Sequence, residues 1–151
     1  MITFTRILVV CTGNICRSPM GAALLKRECG FIDISSAGLH ALNGRSADPL
    51  AVEVMAEQGI DIESHVARSL TREAAVSADL ILVVEAAQKR EIEWRIPEAK
   101  GRVFRFLERR AIDVPDPFRK SKAHFSAALD LMAEGTADWI ARLNAPAVLR
   151  K

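Results

Sequence analysis

An uninterrupted apolar run, Ile7-Leu8-Val9-Val10, ends at Cys11 and is soon followed by Ser18-Pro19. A short β-branched run without polar breaks is typical of a central strand in a parallel sheet, buried on both faces. Ser and Pro are favoured where a helix begins, Ser as the cap and Pro at the first helical position. Residues 11–18 are therefore predicted to form a tight loop between a strand end and a helix N-terminus. Such a loop turns backbone N–H groups toward one point and favours a bound anion there.

This loop carries a thiol, Cys11, and a guanidinium, Arg17. A thiol attacks phosphorus as the thiolate, which helix N-termini and nearby cations stabilise. Gly13 lets the backbone approach a ligand closely, and Asn14 is one of the few non-glycine residues that tolerate a left-handed conformation. The planar fork of Arg17 matches two phosphate oxygens, and the hydroxyl of Ser18 can donate to the sulfur. Together these residues predict a phosphate site with a cysteine nucleophile, rather than an inert buried cysteine beside a surface arginine.

Strand and helix patterns alternate along the rest of the chain. Strands are predicted at residues 7–10, 31–38, 79–85 and 103–107, and helices at 20–28, 48–59, 71–75, 86–95 and from 121 onward. Gly135 is expected to loosen the middle of the last helix. The pattern predicts an α/β fold in one domain, residues 1–151: three layers, with a central four-stranded parallel sheet flanked by helices. Ligands of such sheets lie beyond the carboxyl ends of the strands, where the loop after the first strand is placed.

Length, charge and cysteine content restrict the function further. With 151 residues, half of them hydrophobic, the chain can bury a core without disulfides or metal. A net charge of +2 and the lack of any Lys/Arg run argue against a nucleic-acid partner. Three cysteines are an odd number, and residues 1–6 lack the features of a signal peptide, so we expect a reducing, cytoplasmic compartment. No apolar run approaches the roughly 18 residues that a membrane span needs.

The motif Cys11-x5-Arg17-Ser18, set in Val-Cys-x-Gly-Asn-Ile-Cys-Arg-Ser-Pro, resembles the signature of the low-molecular-weight protein tyrosine phosphatase family. Further segments resemble that family in the family's order: Ser36-Ala37-Gly38, residues 44–49, residues 64–68 and Asp116-Pro117. The family's small parallel sheet with flanking helices agrees with the fold predicted from the patterns. The resemblance implies hydrolysis of phosphotyrosine in proteins through a cysteinyl-phosphate intermediate, with no metal and no cofactor.

The same resemblance implies roles for three residues: Cys11 as nucleophile, Arg17 as phosphate clamp and Asp116 as general acid. An aryl phosphate leaves as phenolate unless its oxygen is protonated, so a carboxylic acid speeds the first step and, as carboxylate, activates water in the second. Asp113 offers the same chemistry. Only the match of the Asp-Pro pair to the family selects Asp116.

The other members of the loop are implied to surround the phosphate: Thr12, Gly13, Asn14, Ile15, Cys16 and Ser18. Ser36 and His65 resemble residues of the family that, with Asn14 and Ser18, hold the loop in shape through hydrogen bonds. Two roles remain open for Cys16, which can form a disulfide with Cys11 under oxidation or pack as a small apolar residue.

The chain departs from the family in the walls of its cleft, since it contains no tyrosine. Phe118 follows Asp-Pro where an aromatic hydroxyl is usual, and Leu42 takes the place of an aromatic residue in the other wall. We expect a less aromatic cleft in which Phe118 still stacks on a substrate ring. Residues 113–121 most resemble the bacterial branch associated with capsule and exopolysaccharide export. That resemblance implies a phosphotyrosine protein as partner, such as a membrane-attached bacterial tyrosine kinase.

Three alternatives compete with this interpretation. An arsenate reductase of the same fold needs cysteines in a later loop, and the sequence has none after Cys29. A protein-arginine phosphatase resembles this chain but has threonine in place of Ile15, whose apolar side chain favours an aryl phosphate. A phosphocarrier or phosphoprotein-binding module would hold a phosphoryl group without hydrolysing it, and the retention of Asp116 argues for hydrolysis.

Overall fold

Strands and helices alternate along residues 4–144, the part of the chain that the computed structural model describes. The ends of the domain expected over residues 1–151 lie outside the described residues. In chain order the elements are β1 (Arg6–Cys11), α1 (Arg17–Glu28), β2 (Asp33–Gly38), α2 (Pro49–Glu57), α3 (Arg72–Ser77), β3 (Leu80–Val83), α4 (Ala86–Arg95), β4 (Val103–Arg105) and α5 (Lys122–Asn144). Short 3-10 turns at Pro97–Ala99 and Glu108–Arg110 flank β4. Among these helices, none combines the length and apolar character that crossing a bilayer requires.

Within the described residues the four strands form one parallel sheet in the order β2-β1-β3-β4. The central strand β1 pairs with β2 and β3, and its Val9 and Val10 have no exposed surface. Cys11, the last residue of β1, pairs with Gly38, the last residue of β2. The nucleophile candidate therefore lies at the carboxyl edge of the sheet, where ligands of such folds bind.

The sheet separates the core into two clusters. Because side chains alternate along a strand, Ile7 and Val9 pack on one face with α1, α2 and α5, whereas Leu8 and Val10 pack on the other with α3 and α4. Helices thus cover both faces, which explains why β1 is apolar without alternation. The predicted three-layer α/β fold is confirmed.

The start of the first helix differs from the prediction. Helix α1 begins at Arg17, with Cys16 in the cap position and no side-chain capping bond. Ser18 lies inside the first turn, because its hydroxyl is engaged by the loop, 2.9 Å from the sulfur of Cys11. The prediction that Ser18 caps the helix and Pro19 takes the first position was therefore wrong.

Gly135 does not loosen α5, which runs unbroken from Lys122 to Asn144. A Cβ atom on Gly135 would lie 2.7 Å from the backbone oxygen of Phe106 and 2.7 Å from its ring. One turn later, Trp139 Nε1 donates a hydrogen bond to the same backbone oxygen at 3.0 Å. The glycine thus permits close packing of α5 on the segment after β4, and the expected loosening was wrong.

We expect Gly135→Ala to lower the free energy of unfolding by about 1–3 kcal/mol, because the added methyl group overpacks this contact. Helix propensity alone predicts the opposite sign, a gain of about 1 kcal/mol. Denaturant midpoints of the two proteins measure the difference. Gly30→Ala is the matched control, since nothing lies within 4 Å of a Cβ atom there. A Gly135→Ala protein as stable as the parent would contradict the packing argument.

Candidate active site

The loop between β1 and α1 directs two polar groups at the sulfur of Cys11. The backbone N–H of Asn14 donates to this sulfur at 3.3 Å, and the hydroxyl of Ser18 lies 2.9 Å from it. Asn14 has a left-handed backbone with φ of 59°, as its residue type allows. When the sulfur is a thiolate, both groups donate to it and stabilise its negative charge.

The side chain of Asn14 is completely buried and joins the loop to two other segments. Its Nδ2 donates to the hydroxyl oxygens of Ser18 and Ser36 at 2.7 and 3.0 Å. Its Oδ1 accepts the backbone N–H of Arg68 at 3.0 Å, and its backbone oxygen lies 2.7 Å from Nε2 of His65. The structure thus brings together the four residues proposed from the sequence as the loop's support, and adds the backbone of Arg68.

The protonation state of His65 follows from this contact. Burial lowers the pKa of His65 below its ordinary value; the hydrogen bond to the backbone of Asn14 opposes this change, and the charges of Lys26 and Arg68 add to it. The ring is therefore neutral at pH 7. Because a carbonyl oxygen only accepts, the hydrogen must lie on Nε2, and Nδ1 carries a lone pair.

Cys16 lies beside the nucleophile candidate but differs from it chemically. Burial and the nearby charge of Asp48 raise the pKa of Cys16, so its thiol is protonated at neutral pH. Cys11, Cys16 and Cys29 are all buried and unbridged in the structure. Here Cys16 packs as a small buried residue, one of the two roles considered for it.

A cavity of about 160 Å³ opens above the loop. It is lined by Cys11, Thr12, Gly13, Ile15, Cys16, Arg17, His40, Leu42, Asp116 and Phe118. The proposed walls, Leu42 and Phe118, and the proposed acid, Asp116, therefore share one cavity with the sulfur. Sequence reasoning missed His40, which follows β2 and whose Nε2 lies 3.2 Å from Oε2 of Glu91. No motif points to it.

Arg17 is 2% exposed and is held from one side. Its Nη1 donates to Glu85 at 2.5 Å and to the backbone oxygen of Val114 at 2.7 Å, while Nη2 lies 3.7 Å from the carboxylate of Asp116. One edge of the guanidinium is thus fixed by protein, and the other borders the cavity. Sequence reasoning missed Glu85, although a charged residue at the carboxyl end of the apolar run 80–84 was a usable signal.

Glu85→Ala is expected to lower kcat/KM for an aryl phosphate about tenfold, because Arg17 loses the acceptor that orients it. Glu85→Gln keeps an oxygen in the same place and should restore most of the loss. Steady-state kinetics of both variants test this, with Glu134→Gln on α5 as a control for loss of an acidic charge. An equal loss of kcat/KM in the Ala and Gln variants would show that Arg17 needs the negative charge of Glu85 and not only a hydrogen-bond acceptor that orients it.

The two candidate acids occupy different environments. Asp113 accepts the backbone N–H of Ala86 and a guanidinium N–H of Arg105, both at 3.0 Å. Asp116 lines the cavity, has a half-exposed side chain, and accepts the backbone N–H of Phe118 at 3.1 Å. Asp113 therefore fastens the segment after β4 to α4 and to β4 itself, whereas the carboxylate of Asp116 borders the cavity that holds the sulfur of Cys11.

Comparison with known proteins places this geometry in a family. The family model described as low molecular weight phosphotyrosine protein phosphatase matches residues 6–148. A probable low molecular weight protein-tyrosine-phosphatase EpsP of Ralstonia nicotianae is 50% identical, over 92% of this chain and 96% of its own. The structure of Vibrio vulnificus Wzb in complex with benzylphosphonate has a TM-score of 0.90 and 38% identity, covering 93% of this chain and 100% of that one. The YwlE arginine phosphatase from Geobacillus stearothermophilus has a TM-score of 0.87 and 34% identity, covering 92% of each.

Proposed function

This chain belongs to the low molecular weight phosphotyrosine protein phosphatase family, and we propose that Cys11, Arg17 and Asp116 carry out its hydrolysis of phosphotyrosine. The observation that supports these roles is that a sulfur, a guanidinium and a carboxyl group border one small cavity. The sulfur is the nucleophile, the guanidinium binds phosphate oxygens, and the carboxyl group transfers protons. A cysteinyl-phosphate intermediate divides the reaction into two steps.

In the first step the phosphate lies on the loop, held by backbone N–H groups and by the edge of Arg17 that borders the cavity. The thiolate of Cys11 attacks phosphorus, so that an S–P bond forms as the P–O bond to the aryl group breaks. Asp116, in its acid form, gives its proton to the departing phenolate oxygen. The products are the free tyrosine side chain, the phosphocysteine and an ionised Asp116.

In the second step the carboxylate of Asp116 takes a proton from water, whose oxygen attacks phosphorus. A P–O bond forms as the S–P bond breaks, and inorganic phosphate is released. The hydroxyl of Ser18, 2.9 Å from the sulfur, donates to the departing thiolate and stabilises it. Cys11 and Asp116 return to their starting states.

The walls of the cavity support an aryl phosphate as the substrate. Leu42 and Phe118 border the cavity, and Ile15 adds an apolar side chain within the loop itself. The guanidinium of Arg119 lies 5.3 Å from the centre of the Phe118 ring and packs against it. Apolar walls favour a phenyl ring over the short aliphatic side chain of phosphoserine and over the charged guanidinium of phosphoarginine.

The proposed partner is a phosphotyrosine protein in the cytoplasm, specifically a membrane-attached bacterial tyrosine kinase of exopolysaccharide production. Support comes from the resemblance of residues 113–121 to the branch associated with that pathway, and from the 50% identity to EpsP. Dephosphorylation of a phosphorylated kinase tail by the purified protein, with no activity of the Cys11→Ser variant, tests this partner.

A panel of phosphotyrosine, phosphoserine and phosphoarginine peptides tests the specificity. We expect kcat/KM to be about a hundredfold higher for phosphotyrosine than for either alternative, because only the aryl group fits the apolar walls. Ile15→Thr should raise the ratio of phosphoarginine to phosphotyrosine activity, and Val76→Thr, an exposed change on α3, should not. A preference for phosphoarginine in the parent would favour the second candidate function, that of the structurally similar YwlE.

A further inference from the structure

A second cavity, of about 620 Å³, lies between α1, β2 and residues 59–65. Its lining residues are Pro19, Ala22, Ala23, Lys26, Arg27, Ser36, Gly59, Ile60, Asp61, Ile62, Ser64 and His65. None of them lines the cavity above Cys11. The volume is typical of sites for small organic ligands, which occupy roughly 300–1,000 Å³.

The lining of this cavity has an excess of positive charge. The lining contains two cations, Lys26 and Arg27, and one carboxylate, Asp61. In the part of the chain that the structure describes, Lys26 forms no ion pair, while Nε of Arg27 lies 3.5 Å from Oε1 of Glu28. An anionic group on a ligand therefore finds a free ammonium group and a partly engaged guanidinium.

The remaining lining provides hydroxyl-binding groups and an apolar floor. Asp61 accepts one backbone N–H through Oδ1, at 2.8 Å, which leaves its Oδ2 as an acceptor. The hydroxyl of Ser64 has no hydrogen-bond partner among residues 4–144. Pro19 and the two alanines present apolar surface, and no Phe, Tyr or Trp of the described residues lines the cavity to stack on a nucleobase.

We propose that this second cavity binds a sugar phosphate. Its phosphate lies against Lys26 and Arg27, its hydroxyl groups donate to Asp61 and bond to Ser64, and the apolar face of the sugar ring covers the alanines of α1. The combination of cations, a hydroxyl-binding carboxylate and apolar surface without a Phe, Tyr or Trp ring matches this class of ligand better than a nucleotide or a bare anion.

His65 connects the second cavity to the loop that carries Cys11. Its ring lines the cavity, and its Nε2–H donates to the backbone oxygen of Asn14 at 2.7 Å. Within the described residues Nδ1 has no partner, so a ligand hydroxyl can donate to it. Binding then changes the strength of the hydrogen bond from His65 Nε2 to the backbone oxygen of Asn14, and so the conformation of the loop that carries Cys11. This coupling rests on the proposed function, whereas the binding itself does not.

Nuclear magnetic resonance of the His65 ring tests the binding directly. The protein is first saturated with benzylphosphonate, and the amide signal of Gly13 reports whether this ligand occupies the cavity above Cys11. Glucose 6-phosphate is then titrated, with glucose, inorganic phosphate and adenosine monophosphate in parallel. We expect a saturable shift of the His65 signals with glucose 6-phosphate, at a lower Kd than with the other three.

Two lysine variants locate the site. Lys26→Ala should raise the Kd for glucose 6-phosphate about tenfold, whereas Lys100→Ala, which removes an exposed lysine elsewhere, should leave it unchanged. The proposal is overturned by the absence of a saturable His65 shift, by equal effects of the two variants, or by tighter binding of adenosine monophosphate. If the amide signal of Gly13 does not shift with benzylphosphonate, the proposed phosphatase site is contradicted. The His65 shift then still decides whether the second cavity binds glucose 6-phosphate.

Discussion

Cys11→Ser is expected to lower kcat for aryl phosphates by about four orders of magnitude or more, while the Kd for benzylphosphonate changes by less than about threefold. A serine hydroxyl is far less nucleophilic than a thiolate, and the loop offers no base beside it. The hydroxyl oxygen can still accept from Asn14 and Ser18, which now bond the sulfur at 3.3 and 2.9 Å. The phosphate-binding shape of the loop should therefore survive.

Single-turnover kinetics and calorimetric titration with benzylphosphonate measure the two effects separately. Cys29→Ser is the matched control, because Cys29 is also buried but lies at the far end of α1 and lines neither cavity. Its turnover per folded molecule should equal that of the parent. Turnover by the Cys11→Ser protein near the parental rate would refute the covalent mechanism, and a lost benzylphosphonate affinity would show that the substitution disrupts the loop.

Asp116→Asn is expected to lower kcat for phenyl phosphate about 10²–10³-fold, since an amide cannot protonate the leaving oxygen. The effect should shrink strongly for dinitrophenyl phosphate, whose phenolate leaves without a proton. A purely structural role of Asp116 would slow both substrates equally. The comparison of the two leaving groups therefore isolates proton transfer from any change in folding.

Asp113→Asn is the control for this prediction. Its amide oxygen can still accept the N–H of Ala86, so we expect kcat within about threefold of the parent for both substrates. If Asp113→Asn slowed phenyl phosphate selectively and Asp116→Asn did not, the general acid would be Asp113.

The features that depend on local sequence were predictable. The β-branched run before Cys11 predicts a strand buried on both faces, and Val9 and Val10 are fully buried. Asn14 tolerates a left-handed backbone and adopts one. Thr71 was predicted to open a helix, and its hydroxyl accepts the N–H of Ala74 at 3.1 Å. Each of these follows from steric and hydrogen-bonding rules that act within a few residues.

The features that depend on contacts between residues far apart in the sequence were not predictable. Glu85 meets Arg17 across 68 residues of sequence, and only the strand order brings the ends of β1 and β3 together. Ser18 does not cap α1, because its hydroxyl is hydrogen-bonded to the sulfur of Cys11. Gly135 looked like a weak point in a helix because the backbone of Phe106, which needs the space, is far away in sequence. Tertiary contacts override local preference at all three positions.

Because the four parallel strands end at one edge of the sheet, the residues around the cavity come from four separate segments of the chain. Cys11 ends β1, Leu42 follows β2, Glu85 follows β3 and Asp116 follows β4, so each strand delivers a different segment to the same small volume. The sheet tolerates little change, whereas the segments beyond it can vary one at a time. One segment can therefore change while Cys11 and Arg17 stay in place, which fits the similarity of this fold to both a tyrosine phosphatase and an arginine phosphatase.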